Sequence, residues 1–122
     1  MANELTIFGG YSYAKGGDID PGDGFAGLGV TISGAGRITD VIAAGADAVI
    51  PLGGLTSLGY GWFRNLDPTN NIKIKAAVGG TVLALLTPAR PFAQIPLDST
   101  IMAPSFQAVA GTPLLKYSLF PP

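Results

Sequence analysis

Short apolar runs broken by glycine and proline set the pattern of this 122-residue chain. In the first run, residues 4–8, Leu5 and Ile7 alternate with Thr6 and Phe8, which suits a strand with two unlike faces. Tyr11 and Tyr13 follow on one shared face. Similar runs recur at residues 30–33, 37–43, 47–52, 60–66, 72–76, 81–86, 92–97, 100–102, 105–110 and 114–120. Pro51 confines the 47–52 run to an edge or a strand end, because proline cannot donate to a ladder. The run "TVLALL", 81–86, has helix-forming leucines, but Gly80 and Pro88 leave it too short for a stable helix, so it reads as a strand. In the last run Leu115, Tyr117 and Leu119 share one face, and Leu114, Lys116 and Ser118 the other, with Phe120 closing that row.

About nine or ten short strands with frequent breakers predict an all-β chain, a single-domain β-sandwich of jelly-roll type. A barrel is the other way to close so many strands. One segment departs from the pattern. Residues 16–29, "GGDIDPGDGFAGLG", hold seven glycines or prolines and three aspartates, and read as a long loop or an extended arm. The expected organisation is an N-terminal strand and Gly-rich arm over 1–29, then the sandwich over 30–122, folding as one unit.

The stretch "GWFRNLDPTNNIKIK", 61–75, has the clearest local pattern. Tyr60, Trp62, Arg64 and Leu66 alternate with Gly61, Phe63 and Asn65. Ile72 and Ile74 alternate with Lys73 and Lys75, so a hairpin with isoleucines inward and lysines outward is predicted. Asp67 and Pro68 supply the turn chemistry between the two strands, and Asn70 and Asn71 tolerate the left-handed residues that end such loops. Tyr60, Trp62 and Arg64 carry two readings. They are the residue types that dominate interfaces, so the row is a candidate stacking platform for a partner or a sugar. A lone tryptophan is also usually buried, so the same row is a candidate core face.

Composition narrows the function. Charged residues make up 12% of the chain, against a usual value of about 25%. So little charge leaves much neutral surface, which suits a protein covered by neighbours. Net charge is −1 and no basic run is present. Nucleic-acid binding, which needs a basic stripe, is therefore not expected. Cysteine and histidine are both absent, which removes thiolate nucleophiles, the imidazole base of serine-type triads and the usual zinc sites. The start "MANELTIF" has no basic n-region, and the longest uncharged runs, 48–63 and 99–115, are broken by glycine or proline. A soluble protein without membrane segments is expected.

Two further clusters hold carboxylates. Asp18, Asp20 and Asp23 form a weak candidate for calcium, but their spacing is not that of a calcium loop and no glutamate closes it. Asp40 and Asp47 flank one turn and are the nearest approach to a paired-carboxylate site, yet no nucleophile elbow or phosphate loop accompanies them. No enzyme and no cofactor are expected.

The stretch from about residue 50 to 120 resembles small β-rich proteins in the structural modules of tailed bacteriophages. The resemblance lies in the order of "IPLGG", "GWFRNLDPTNNIKI", "LLTPARPFAQIPL" and "IMAPSFQAVAGTPLLKYSLF", most specifically at Asn65-Leu66-Asp67. The start, "MANELTIFGGYSYAKGG", is also similar to such N-termini. "TPARP", where a Pro-Gly turn belongs, and the Gly/Asp segment depart from the family pattern. The resemblance implies a non-enzymatic virion protein made in the host cytoplasm. It implies most of all a capsid decoration or cement protein, with a tail, neck or fibre-base component as the alternative. It implies a homo-oligomer, with a trimer favoured, bound to the major capsid protein or another virion protein. A carbohydrate-binding or host-adhesion module is the runner-up. Interface candidates are Tyr11, Tyr13, Phe25, Tyr60, Trp62 and Arg64.

Overall fold

The computed structural model describes residues 5–30, 37–97 and 100–122. Among them are ten strands and no helix. The chain divides into two compact units, Met1–Ser33 and Gly34–Pro122, where one folding unit with a boundary at 29 was expected.

The first unit is a hairpin of β1 (Leu5–Lys15) and β2 (Asp18–Val30). The segment read as a loop or arm over 16–29 is thus mostly strand. Its start supplies the reason. Gly16 and Gly17 both have positive φ, at 60° and 86°, the two-residue turn whose twist matches that of paired strands. Lys15 then faces Asp18, and the ladder runs back to Leu5 opposite Val30. Pro21, which would break a regular ladder, sits at one of two register shifts. There Gly22 takes φ 89° and donates its N–H to Asp20 Oδ1 at 2.8 Å.

The second unit is a sandwich of eight strands. These are β3 (Ile38–Ala43), β4 (Ala48–Val49), β5 (Tyr60–Asn65), β6 (Ile72–Lys75), β7 (Val82–Leu86), β8 (Phe92–Pro96), β9 (Ser105–Ala108) and β10 (Leu114–Phe120). One sheet has the order β3-β10-β5-β8 and the other β4-β9-β6-β7, all antiparallel. The pairs β6–β7, β5–β8, β4–β9 and β3–β10 nest inside one another. This second unit is therefore one long hairpin folded across two sheets, which is the jelly-roll topology. Residues 100–102, expected as a strand, form none.

The predicted hairpin over 60–75 is corrected. β5 pairs with β10 and β8, while β6 pairs with β7 and β9, so the two strands lie in opposite sheets. The Asp67 turn carries the chain across. Asp67 accepts the N–H groups of Thr69 and Asn70, each at 2.7 Å, as its local chemistry predicts. Such a turn reverses the chain equally well within a sheet or between sheets.

Alternation then fills the core from both sides. Phe63, Leu115, Tyr117 and Leu119 enter from the first sheet, and Ile72, Ile74, Leu86 and Phe106 from the second. Ala44, Ile50, Leu58 and Leu97 close the ends. The Tyr117 hydroxyl keeps a partner by donating to Pro51 O at 3.0 Å. Lys75 was expected in solvent but is covered, at 8% exposure, and pairs with Asp47 Oδ2 at 2.5 Å.

That pair and the Asp67 turn make the fold acid-sensitive. Asp47 is held below the ordinary carboxylate range first by the Lys75 hydrogen bond and then by the Gly79 N–H, against an opposing effect of burial. Asp67 is lowered first by the Asn70 N–H and then by that of Thr69. A carboxyl that binds its proton more weakly when folded contributes stability that is complete above its unfolded value, about 4. That stability is lost as pH falls through the lowered folded value. Urea midpoints are expected to start dropping as pH falls below about 5 and to go on dropping below the ordinary carboxylate range. Asp47→Asn and Asp67→Asn together should lower the neutral midpoint and flatten this slope; an unchanged slope would refute the assignment.

Candidate functional site

Burial decides between the two readings of residues 60–66. Gly61, Phe63 and Asn65 are buried, Tyr60 and Trp62 half-buried, and Arg64 and Leu66 exposed. The aromatic-and-arginine row therefore lies on the outer face of the first sheet. The lone tryptophan is not a core residue, and glycine at 61 is part of the reason. A Cβ there would come within 2.7 Å of the Phe63 ring, so the inner face is already filled by Phe63 itself.

Register extends the row into a surface. Val41, Lys116, Arg64 and Phe92 stand opposite one another across all four strands, a line of about 15 Å at the usual strand spacing. Next to it Ser118, Trp62 and Gln94 form a second line, and Phe120, Tyr60 and Pro96 a third. Phe92 is 60% exposed, and Val41, Leu66 and Leu114 on the same face are each above 40%. The face thus combines aromatic and aliphatic surface with two cations.

The cations are the most informative part. Arg64 and Lys116 are direct cross-strand neighbours. Like charges in that position repel and weaken the sheet. Among the described residues neither forms an ion pair. The arrangement favours an anionic group placed over the face, where arginine's planar fork also binds carboxylates well.

Other expected sites fare differently. The side chains of Tyr11, Tyr13, Phe25, Asp18 and Asp23 lie outside the described part of the structure. Asp20 is exposed, and among the described residues no group of three potential metal ligands comes together. Asp40 and Asp47 take separate partners: Asp40 Oδ1 accepts the Val41 N–H, and Asp47 the Lys75 ammonium. No helix among the described residues is long and apolar enough to cross a membrane. Sequence reasoning placed Tyr60, Trp62 and Arg64 on one face but missed Phe92, Lys116 and Val41 beside them. The alternation of 114–120 already separated Lys116 from the core positions; its pairing with Arg64 is non-local and had no sequence signal.

The fold and face together define a jelly-roll domain with an N-terminal β-hairpin and an aromatic, cationic outer sheet face. No family model, curated protein or solved structure matches the chain.

Proposed function

We propose that this is a non-enzymatic structural protein of a tailed-phage particle, most simply a capsid decoration protein, that docks through the outer face of its first sheet. The observation that carries the reading is the outward placement of Tyr60, Trp62 and Arg64, with exposed Phe92 and Val41 beside them. A complete core lies beneath, so folding does not require this row to be apolar or aromatic. Tyrosine, tryptophan and arginine are the side chains that concentrate binding energy at protein interfaces. The Arg64–Lys116 pair points to a partner surface that presents carboxylates. The low charge content and the motif resemblance agree with a protein covered by neighbours. A tail or neck location would use the same face.

The second reading, a glycan-binding module, draws on Tyr60, Trp62 and Phe120, which share the outer face of the first sheet, Phe120 directly opposite Tyr60. One experiment separates the two. Heads and tails purified from the encoding phage, lacking the protein, are sedimented with the wild-type chain and with a Trp62→Ser/Arg64→Glu variant. Wild type is expected to saturate one of these lattices. The variant should bind at least about thirtyfold more weakly while keeping its circular dichroism, the minimum loss for an interface hot spot. Failure of wild type to bind either lattice would end the structural reading. Trp62-dependent retention on a panel of immobilised glycans would replace it with the second.

A further inference from the structure

Among the described residues β1 and β2 pair only with each other. An isolated two-stranded ribbon is marginally stable in water and needs a surface to pack on. The register shows what this ribbon brings to such a surface. Tyr11 stands opposite Asp23, Tyr13 opposite Asp20 and Lys15 opposite Asp18. The register shift beside Pro21 puts its extra residue on β2, so positions 11, 13 and 15 keep a period of two along β1 and the three pairs share one face. That end of the ribbon holds three aspartates against one lysine, together with two tyrosines.

The outer face of the first sheet is its chemical complement. Arg64 and Lys116 are cross-strand neighbours there, with Trp62 and Phe92 on the adjoining positions. The dimensions agree as well. Residues 9–15 span about 20 Å, the length of β5 and β10, and two strands fit within the width of four. Phe92 and Val41 stay 60% and 46% exposed in the single chain, which leaves this face to another one. The aspartates of the sandwich are engaged within it: Asp40 with the Val41 N–H, Asp47 with Lys75 and Asp67 with its own turn. The carboxylates the chain can offer to a cationic face are those of the ribbon.

Resting on the docking role of that face, we infer that its partner is the acidic, tyrosine-bearing end of the β1–β2 hairpin of a second copy of this chain. Carboxylates brought over Arg64 and Lys116 offset the repulsion between these two neighbours. Each copy has one ribbon and one face, so every copy both gives and receives, and the set closes as a reciprocal pair or a ring. Linked copies meet a particle at several points, which strengthens docking without a new contact on the particle.

Reversing the charges tests this. Asp18→Lys/Asp23→Lys inverts the balance at the end of the ribbon; Asp20 is kept, because its Oδ1 accepts the Gly22 N–H. Arg64→Glu/Lys116→Glu inverts the face. Light scattering of the wild-type chain, without particles, should give at least twice its 12.4 kDa mass. Either pair of substitutions alone sets like charges across the contact. It should raise the concentration needed for association at least about tenfold, with unchanged circular dichroism. All four substitutions in one chain oppose the signs again and should restore wild-type association, which a folding defect would not do. A wild-type mass of one chain would overturn the proposal. So would an oligomer that neither pair disturbs, or one that the fourfold variant fails to restore. Sedimentation with heads and tails keeps the particle reading separate. A single-chain mass with lattice binding intact removes the hairpin as partner and nothing else; association and rescue without lattice binding remove the particle reading and leave the hairpin contact standing.

Discussion

Alanine in place of Asn65 is expected to cost the sandwich about 3 kcal/mol, a large share of the total for a domain of this size. Asn65 is 4% exposed at the end of β5, where the chain leaves the first sheet. Its Nδ2 donates to Asn70 O at 2.8 Å and to Leu86 O at 3.1 Å, and its Oδ1 accepts the Asp67 N–H at 2.9 Å. One amide thus ties together the crossover turn, its own strand and β7 of the opposite sheet. Removing it strands up to three backbone groups, each worth about 1–3 kcal/mol when buried. Asn70 and Asp67 are partly exposed and regain water, so the cost is well below the sum. Asn65→Asp should be at least as harmful, because a carboxylate cannot donate to two carbonyl oxygens. Urea unfolding measures both, and a loss under about 1 kcal/mol for either would show that the amide is not the tie described.

Phe63→Ala should cost about 3–5 kcal/mol, the range for losing a buried phenylalanine. Phe63 is fully buried at the centre of β5 and packs beside Gly61 and Leu97. The cavity left by its ring has no side chain at 61 to fall into it. That neighbour supplies a sharper test. Gly61→Ala in the wild type pushes a methyl group to within 2.7 Å of the ring and should destabilise the fold. With Phe63 already alanine the same change meets only Leu97 Cδ1, at 3.3 Å, and should cost far less. The two changes are thus expected to be strongly non-additive. Additive losses would mean that ring and glycine are not packed as described.

The contrast between residues 60–66 and 16–29 shows what the sequence discloses. Strand positions in the sandwich are local facts: the alternation at 60–66, 72–75 and 114–120 follows from a period of two, and each became a strand, with Ile72 and Ile74 inward on one and Leu115, Tyr117 and Leu119 inward on another. Residues 16–29 defeated the same reasoning, because glycine, proline and aspartate are poor strand formers by propensity. The paired glycines at 16 and 17 outweighed that preference by fixing a hairpin turn. Strand partners are a different kind of fact. Nothing in "NLDPTNN" distinguishes a turn within a sheet from a crossover between sheets, so β5 and β6 were expected together and lie apart. The candidate face was half legible for the same reason. Tyr60, Trp62 and Arg64 share a strand, whereas Lys116 and Phe92 join them only through pairings with β10 and β8. The usual burial of tryptophan also pointed inward, since pattern alone does not reveal that Phe63 had filled the inner face.

The nesting of the strand pairs also governs the order in which the fold forms. β6 and β7 are joined through residues 76–81, and each pair outward encloses a longer loop. Closing a loop costs more conformational entropy as it lengthens, and folds built on distant pairings form slowly. The innermost pair is therefore expected to zip first and β3–β10 last, an order that φ-values at Ile74 and Leu115 would test. Yet β10 is not peripheral in space: it lies between β3 and β5. During synthesis the first sheet therefore stays split until Leu114–Phe120 have left the ribosome. Until then β5 waits with a bare edge and Phe63 half-covered, and this interval is when the chain is most open to misassociation.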